Sequence, residues 1–222
     1  MARIISEVLF DLDGTLADTA PDLAAALNRV LSSHGKDMLP LEAIRPWASM
    51  GGATMVRLGF GIDESHPSFA PTRDEFLNQY RAGIADQTVL FPGMSDVLAQ
   101  LETSGFRWGI VTNKLSWLAE PLLAELGLAT RAACTVSGDT TARPKPHPDP
   151  LLHACALLGC RPEQVVYVGD DRRDVEAGRR AGMSTVIARY GYIPSAERPE
   201  TWGADLLIDH PDDLMKWLMR PN

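Results

Sequence analysis

The chain has 222 residues, 45% of them hydrophobic and 23% charged, and carries a formal net charge of −8. That length holds one large domain or a core domain with a small insert, and the apolar share suffices for a sizeable buried core. Interspersed charges with an acidic balance exclude the basic face of a nucleic-acid binder, and no run approaches the roughly eighteen apolar residues of a membrane helix.

In chain order, residues 4–10 read as a buried strand, with Val8, Leu9 and Phe10 apolar on both faces as in a central parallel strand. It runs directly into Asp11-Leu12-Asp13-Gly14-Thr15. Residues two apart on a strand share a side, so Asp11 and Asp13 face one site at its C-terminal end. Two acids that close raise each other's pKa unless a cation lies between them. The pair points to a hard metal such as Mg²⁺ and to chemistry on phosphate oxygens.

The stretch Asp18-Thr19-Ala20-Pro21-Asp22 combines capping residues, an early proline and an acid, which predicts a helix start. Leu23, Leu27, Val30 and Leu31 then form one stripe that ends near His34-Gly35. Further helical periods lie at 41–47, 54–58 and 74–84, with no convincing strand, so residues 17–84 are expected to be a helical insertion. The chain restarts at 89–93, and helices at 94–104, 116–126, 148–158, 175–181 and 212–218 alternate with strands at 108–112, 134–136, 165–168, 184–188 and 205–208. This alternation predicts an α/β fold, a Rossmann-like doubly wound parallel sheet with ligand chemistry at the C-terminal strand ends.

Polar groups collect at those ends. After Gly109-Ile110-Val111 come Thr112, Asn113 and Lys114; Lys145 lies in the loop Arg143-Pro144-Lys145-Pro146; and Gly169-Asp170-Asp171-Arg172-Arg173-Asp174 follows the strand at 165–168. In this order, and over nearly the whole chain, the four segments resemble the four motifs of haloacid dehalogenase superfamily phosphatases. The resemblance implies a core of residues 1–16 and 85–222, with residues 17–84 as a helical cap of the C1 type that closes over small substrates.

Such an enzyme splits phosphate-ester hydrolysis into two steps. Asp11 would attack phosphorus and form an aspartyl-phosphate, while Asp13 would protonate the leaving oxygen and then deprotonate water. Asp13 would need a pKa shifted towards neutrality for this alternation. Asp170, an Asp11 oxygen and the Asp13 backbone carbonyl would hold Mg²⁺, with Asp174 orienting its waters and Asp171 either sharing in ligation or facing outward. Thr112 and the Asn113 backbone N–H would donate to phosphate oxygens, and Lys145 would balance charge beside Asp11. Gly14 and Thr15 fit a turn bringing backbone donors near the phosphate. Arg45 is the cap candidate for a substrate carboxylate, and Lys114 reads as a surface charge at a helix entry.

Residues 16–23 resemble the phosphoglycolate phosphatase branch of the superfamily. In the cap segment 44–52, Arg45, Trp47 and Gly51 fit that branch, whereas Ser49 stands where a glycine is expected. The segments Val111–Lys114, Ala119-Glu120-Pro121, Arg189–Ile193, Trp202–Asp205 and Asp209-His210-Pro211 resemble the N-acetylmuramic acid 6-phosphate phosphatase sub-branch. The expected partner is thus a small phosphorylated metabolite, phosphoglycolate or alternatively an amino-sugar or other sugar phosphate. A phosphosugar mutase and a non-catalytic binder of phosphorylated ligands are the rival readings. Cys134, Cys155 and Cys160 cannot all pair internally and lack metal-ligand spacing, and the N-terminus lacks a signal-peptide layout. A cytoplasmic monomer or homodimer is expected.

Overall fold

The computed structural model describes residues 5–219, so Ile4 of the first expected strand lies outside the described residues. The chain runs from β1 (Glu7–Phe10) into β2 (Ala17–Asp18) and then through α1 (Ala20–Ser33), α2 (Leu41–Ile44), α3 (Gly51–Phe60) and α4 (Phe69–Ala82). It continues with β3 (Val89–Leu90), α5 (Met94–Thr103), β4 (Arg107–Val111), α6 (Ser116–Glu125), β5 (Thr135–Val136), α7 (Asp149–Leu158) and β6 (Val165–Gly169). α8 (Arg172–Ala181), β7 (Ser184–Ala188), β8 (Leu206–Ile208) and α9 (Asp212–Leu218) complete it.

Six strands form one sheet in the order β5-β4-β1-β6-β7-β8, and every neighbouring pair is parallel. The apolar run of β1 explains its central place, since both of its faces are covered. Val8 and Phe10 pack with α5, α6 and α9 through Val97, Leu98, Leu101, Leu122 and Leu214. Leu9 points the other way, into a layer with Leu151, Ala154 and Leu158 of α7 and Ala177 of α8. Cys134 and Cys155 are buried in that second layer, and all three cysteines are free.

Between β2 and β3 the chain is helical. The stripe Leu23, Leu27, Val30 and Leu31 of α1 is buried together with Met55 of α3 and Phe76 and Tyr80 of α4. One strand was not expected in this stretch: Ala17–Asp18 pairs antiparallel with Val89–Leu90. Two residues are too short for periodicity to register, yet the pair forms a neck where the chain leaves the sheet and returns. Asp22, in the first turn of α1, secures the neck by accepting from Gln87 N, Thr88 N and Thr88 Oγ1 at 2.7–3.0 Å. No helix among the described residues is long and apolar enough to cross a membrane.

Candidate active site

The site lies where β1, β4 and β6 end. Asp11 continues β1, and its N–H donates to Val168 O at 2.8 Å. The turn that follows needs Gly14 on two grounds. Its φ is +86°, and a Cβ there would stand 2.2 Å from Asp170 Oδ2. Gly191 is under a similar demand, because a Cβ would meet Gly14 O and Asp170 Cβ at 2.4 Å.

Asp11, Asp170 and Asp174 are buried, and each offers a carboxylate oxygen within 4.8 Å of the other two. Burial, helped by the charge of Asp174, pushes the Asp11 carboxyl up to about 6 against the pull of Lys145. Burial first, and then Asp11 and Asp174, push Asp170 well above the usual carboxylate range. Asp11 Oδ1 is buried with no aligned hydrogen-bond donor, although the Lys145 ammonium lies 2.9 Å away. Clustered, mutually repelling oxygens with one unsatisfied are the donor set a hard divalent cation requires.

Lys145 reaches this cluster from the loop before α7. Its Nζ donates to Asp174 Oδ1 and Tyr167 Oη at 2.7 Å, and the Tyr167 hydroxyl in turn donates to Val111 O at 2.8 Å. Burial opposes the charge, but Asp11 and Asp174 hold the ammonium above its ordinary range. The Asn113 side chain fixes the loop backbone, with Nδ2 donating to Lys145 O and Oδ1 accepting from Lys145 N, both at 3.0 Å. The Lys145–Pro146 peptide is cis.

Thr112 is buried and borders the same chamber. Its Oγ1 accepts from Lys114 N at 3.1 Å, which leaves its hydrogen available to a ligand oxygen. The Asp13 carboxylate borders the chamber but lies outside the three-acid cluster. Its Oδ1 accepts from Thr19 Oγ1 at 2.6 Å and from Lys114 Nζ at 2.9 Å.

Several residues stand elsewhere than expected. The Thr15 side chain is fully buried, and its hydroxyl donates to Asp170 Oδ1 at 3.0 Å, so it braces an acid of the cluster. Thr19 spends its hydroxyl on Asp13 and does not cap α1. Arg45 pairs with Asp18 Oδ1 at 2.7 Å and lies over the Tyr192 ring, and it borders neither cavity of the site. Asp171, for which the sequence leaves both readings open, caps α8 by accepting from Arg173 N and pairs with the Arg173 guanidinium at the chamber's border, outside the three-acid cluster. Lys114 is no surface charge, for its side chain is 6% exposed. No local pattern marks it, because β4 ends at Val111 and the groups that bury Lys114, Asp13 and Tyr80, come from other elements.

Three more residues of the site carry no sign of their role in the local sequence. Tyr167 seats Lys145. Tyr80 ends the buried α4 stripe Phe69, Thr72, Phe76 and Tyr80, whose i, i+3 and i, i+4 spacing reads as core alone. Arg173 reaches from α8 to Ser49 O and Met50 Sδ, at 3.4 and 3.2 Å.

Two cavities meet at the site. A small chamber of about 20 Å³ lies among Asp11, Thr112, Lys145 and Asp174. A cleft of about 510 Å³ extends from it between the helical region and the sheet, bordered by Leu23, Met50, Phe76, Leu77, Tyr80, Trp117 and Leu118. Asp13, Ser49, Asn113, Lys114 and Arg173 border both.

Comparison with known proteins places this geometry. Residues 8–188 match the family described as haloacid dehalogenase-like hydrolase. The chain is 42% identical over 216 residues to the N-acetylmuramic acid 6-phosphate phosphatase of Pseudomonas aeruginosa, covering 97% of this chain and 96% of that protein. It is 44% identical over 214 residues to the phosphoglycolate phosphatase of Xanthomonas campestris pv. campestris, covering 96% of each. Among solved structures, a predicted phosphoglycolate phosphatase from Haemophilus somnus superposes with a TM-score of 0.86 at 25% identity, covering 98% of this chain and 99% of that one.

Proposed function

The chain belongs to the haloacid dehalogenase-like hydrolase family and is a phosphatase, and from that premise we propose a Mg²⁺-dependent enzyme that hydrolyses a sugar-sized phosphate monoester through Asp11. The observation that carries this reading is the three-acid cluster beside Lys145, opening into the wide cleft. Asp11, Asp170 and Asp174 would hold the cation, with the Asp13 backbone carbonyl as a further oxygen. When bound, Mg²⁺ supplies charge neutralisation that lets two anions approach.

The residues divide the work. An Asp11 oxygen forms a bond to phosphorus as the ester P–O bond breaks, and the leaving oxygen takes a proton from Asp13. Water then attacks phosphorus and returns a proton to Asp13, and the electron pair of the breaking bond returns to Asp11. Lys145 and Thr112 donate to the phosphoryl oxygens, and the Asn113 clamp keeps the Lys145 loop in place. Residues 17–84 act as the cap, covering the leaving group and excluding water.

Cleft size supports the larger of the two candidate substrates. About 510 Å³ falls within the roughly 300–1,000 Å³ of sites that take drug-sized ligands. A two-carbon acid would leave most of that space empty, whereas an acylated amino sugar would occupy more of it, beside the apolar lining of Leu77, Phe76 and Trp117. The substrate named for the Pseudomonas relative has that form. Inorganic phosphate release from N-acetylmuramic acid 6-phosphate and from 2-phosphoglycolate, each with and without Mg²⁺, tests the reading. We expect Mg²⁺-dependent release with kcat/KM at least about tenfold higher for the amino sugar; a preference for phosphoglycolate reverses the substrate assignment. Free cysteines throughout the described chain support a cytoplasmic location.

A further inference from the structure

Lys114 sits where chamber and cleft meet, and its ammonium is committed to Asp13. Nζ lies 2.9 Å from Asp13 Oδ1 and 3.1 Å from Oδ2. A desolvated ammonium gripping both oxygens of one carboxylate fixes the plane of that carboxylate. On its other side the ammonium stands 4.7 Å from the ring centroid of Tyr80, a residue of α4 that is 1% exposed. The negative face of a buried ring holds a cation in place. Lys114 is thus pinned between an acid at the sheet end and an aromatic of the helical region.

The grip is unequal on the two oxygens. Oδ1 accepts from both Thr19 and Lys114, while Oδ2 accepts at 3.1 Å from Lys114 alone among the described residues. Oδ2 is therefore the less committed of the two oxygens. We propose that Lys114, backed by Tyr80, is a positioning residue that turns Asp13 so that Oδ2 faces the ester oxygen leaving phosphorus. This rests on the reading of Asp13 as general acid and base. In the first step the proton on Oδ2 passes to the leaving oxygen as the ester P–O bond breaks and the Asp11–phosphorus bond forms. Because Tyr80 belongs to the cap, the acid is aimed while the cap covers the substrate.

Two substrates of nearly equal shape test this. Phenolate is a poor leaving group that needs its proton, and 4-nitrophenolate departs with far less help. For Lys114→Met we expect kcat/KM for phenyl phosphate to fall at least about tenfold more than for 4-nitrophenyl phosphate, with Lys114→Arg recovering part of the difference. Tyr80→Leu removes the backing without touching the charge and should move the ratio the same way, which keeps the test available if Lys114→Met does not fold. Asp13→Asn must show the split in full; if it does not, the acid/base reading itself fails. If Asp13→Asn shows the split while Lys114→Met and Tyr80→Leu lose both substrates equally, Lys114 is structural and the inference is overturned.

Discussion

The chamber and the cleft beside it are built on opposite principles. The chamber is made at strand ends of a sheet whose register is set by buried apolar strands, and its side chains are charged, buried and cross-braced. Asp170 illustrates the bracing, with Thr15 on one oxygen and the Tyr192 N–H on the other, at 3.0 and 2.8 Å. The cleft is bordered largely by apolar side chains from two regions, and Met50 and Trp117 there remain partly exposed. A rigid polar site suits chemistry common to all phosphate esters, while a soft apolar wall suits selection among them. Changes in the chamber should therefore act on turnover, and changes in the cleft on which ester is turned over.

The largest effect is expected from Asp11→Asn. Losing the proposed nucleophile should cut phosphate release by ~10⁴-fold or more. The fold should persist, because the change removes one of three mutually repelling buried acids. Thermal melting checks the fold, and undiminished activity would end the covalent mechanism. Next comes Asp170→Asn, which should weaken Mg²⁺ by ~10²-fold, measured by calorimetry and by the Mg²⁺ dependence of activity. The acids also give the metal-free protein a pH signature. A carboxyl raised from 3.8 in the unfolded chain to about 6 in the fold binds its proton more tightly when folded. Stability without metal should therefore fall as pH rises from about 4 through 6. Saturating Mg²⁺ should flatten that slope in chemical denaturation.

Legibility in the sequence divides along the same line. Strand ends could be read because their logic is local: an apolar run, then acids at i and i+2, then a glycine turn. Asp11 meets Asp170 and Asp174 beside Lys145 at those ends, while Asp13, its partner two residues on, is held by Thr19 and Lys114 outside the cluster. What could not be read depends on contacts across long sequence distances. Arg45 looked like a ligand for a carboxylate because Asp18, its partner, is 27 residues away. Lys114 looked solvated because Tyr80 and Asp13 reach it from two other elements. The strand at Ala17–Asp18 exists through its pairing with Val89–Leu90, which no local pattern announces.

Tyr192 sits between the two regions and predicts a smaller effect of another kind. Its hydroxyl accepts from Ala20 N at 2.9 Å and donates to Asp18 Oδ1 at 2.7 Å, while its backbone N–H serves Asp170. Tyr192→Phe removes both hydroxyl bonds at the neck and leaves the buried Ala20 N–H without its acceptor. We expect a loss of about 2 kcal/mol and a melting temperature lower by roughly 4–8 °C. The Asp170 contact is made by backbone and survives the change, so Mg²⁺ affinity should hold. A fall in metal affinity as large as that of Asp170→Asn would show that neck and metal site are one unit.

Trp117→Ala carries the smallest effect and bears most directly on the contrast. The side chain borders the cleft at 40% exposure, so a bound leaving group would cover surface that otherwise meets water. Apolar contact of that partial kind amounts to about 1 kcal/mol, or roughly a fivefold rise in KM for the amino-sugar phosphate. It is made equally in ground and transition states, so kcat should stay within about twofold. Phosphoglycolate, too short to span the cleft, should respond less. A loss in kcat instead would mean that Trp117 shapes the chamber, and the division between a catalytic chamber and a selecting cleft would not hold.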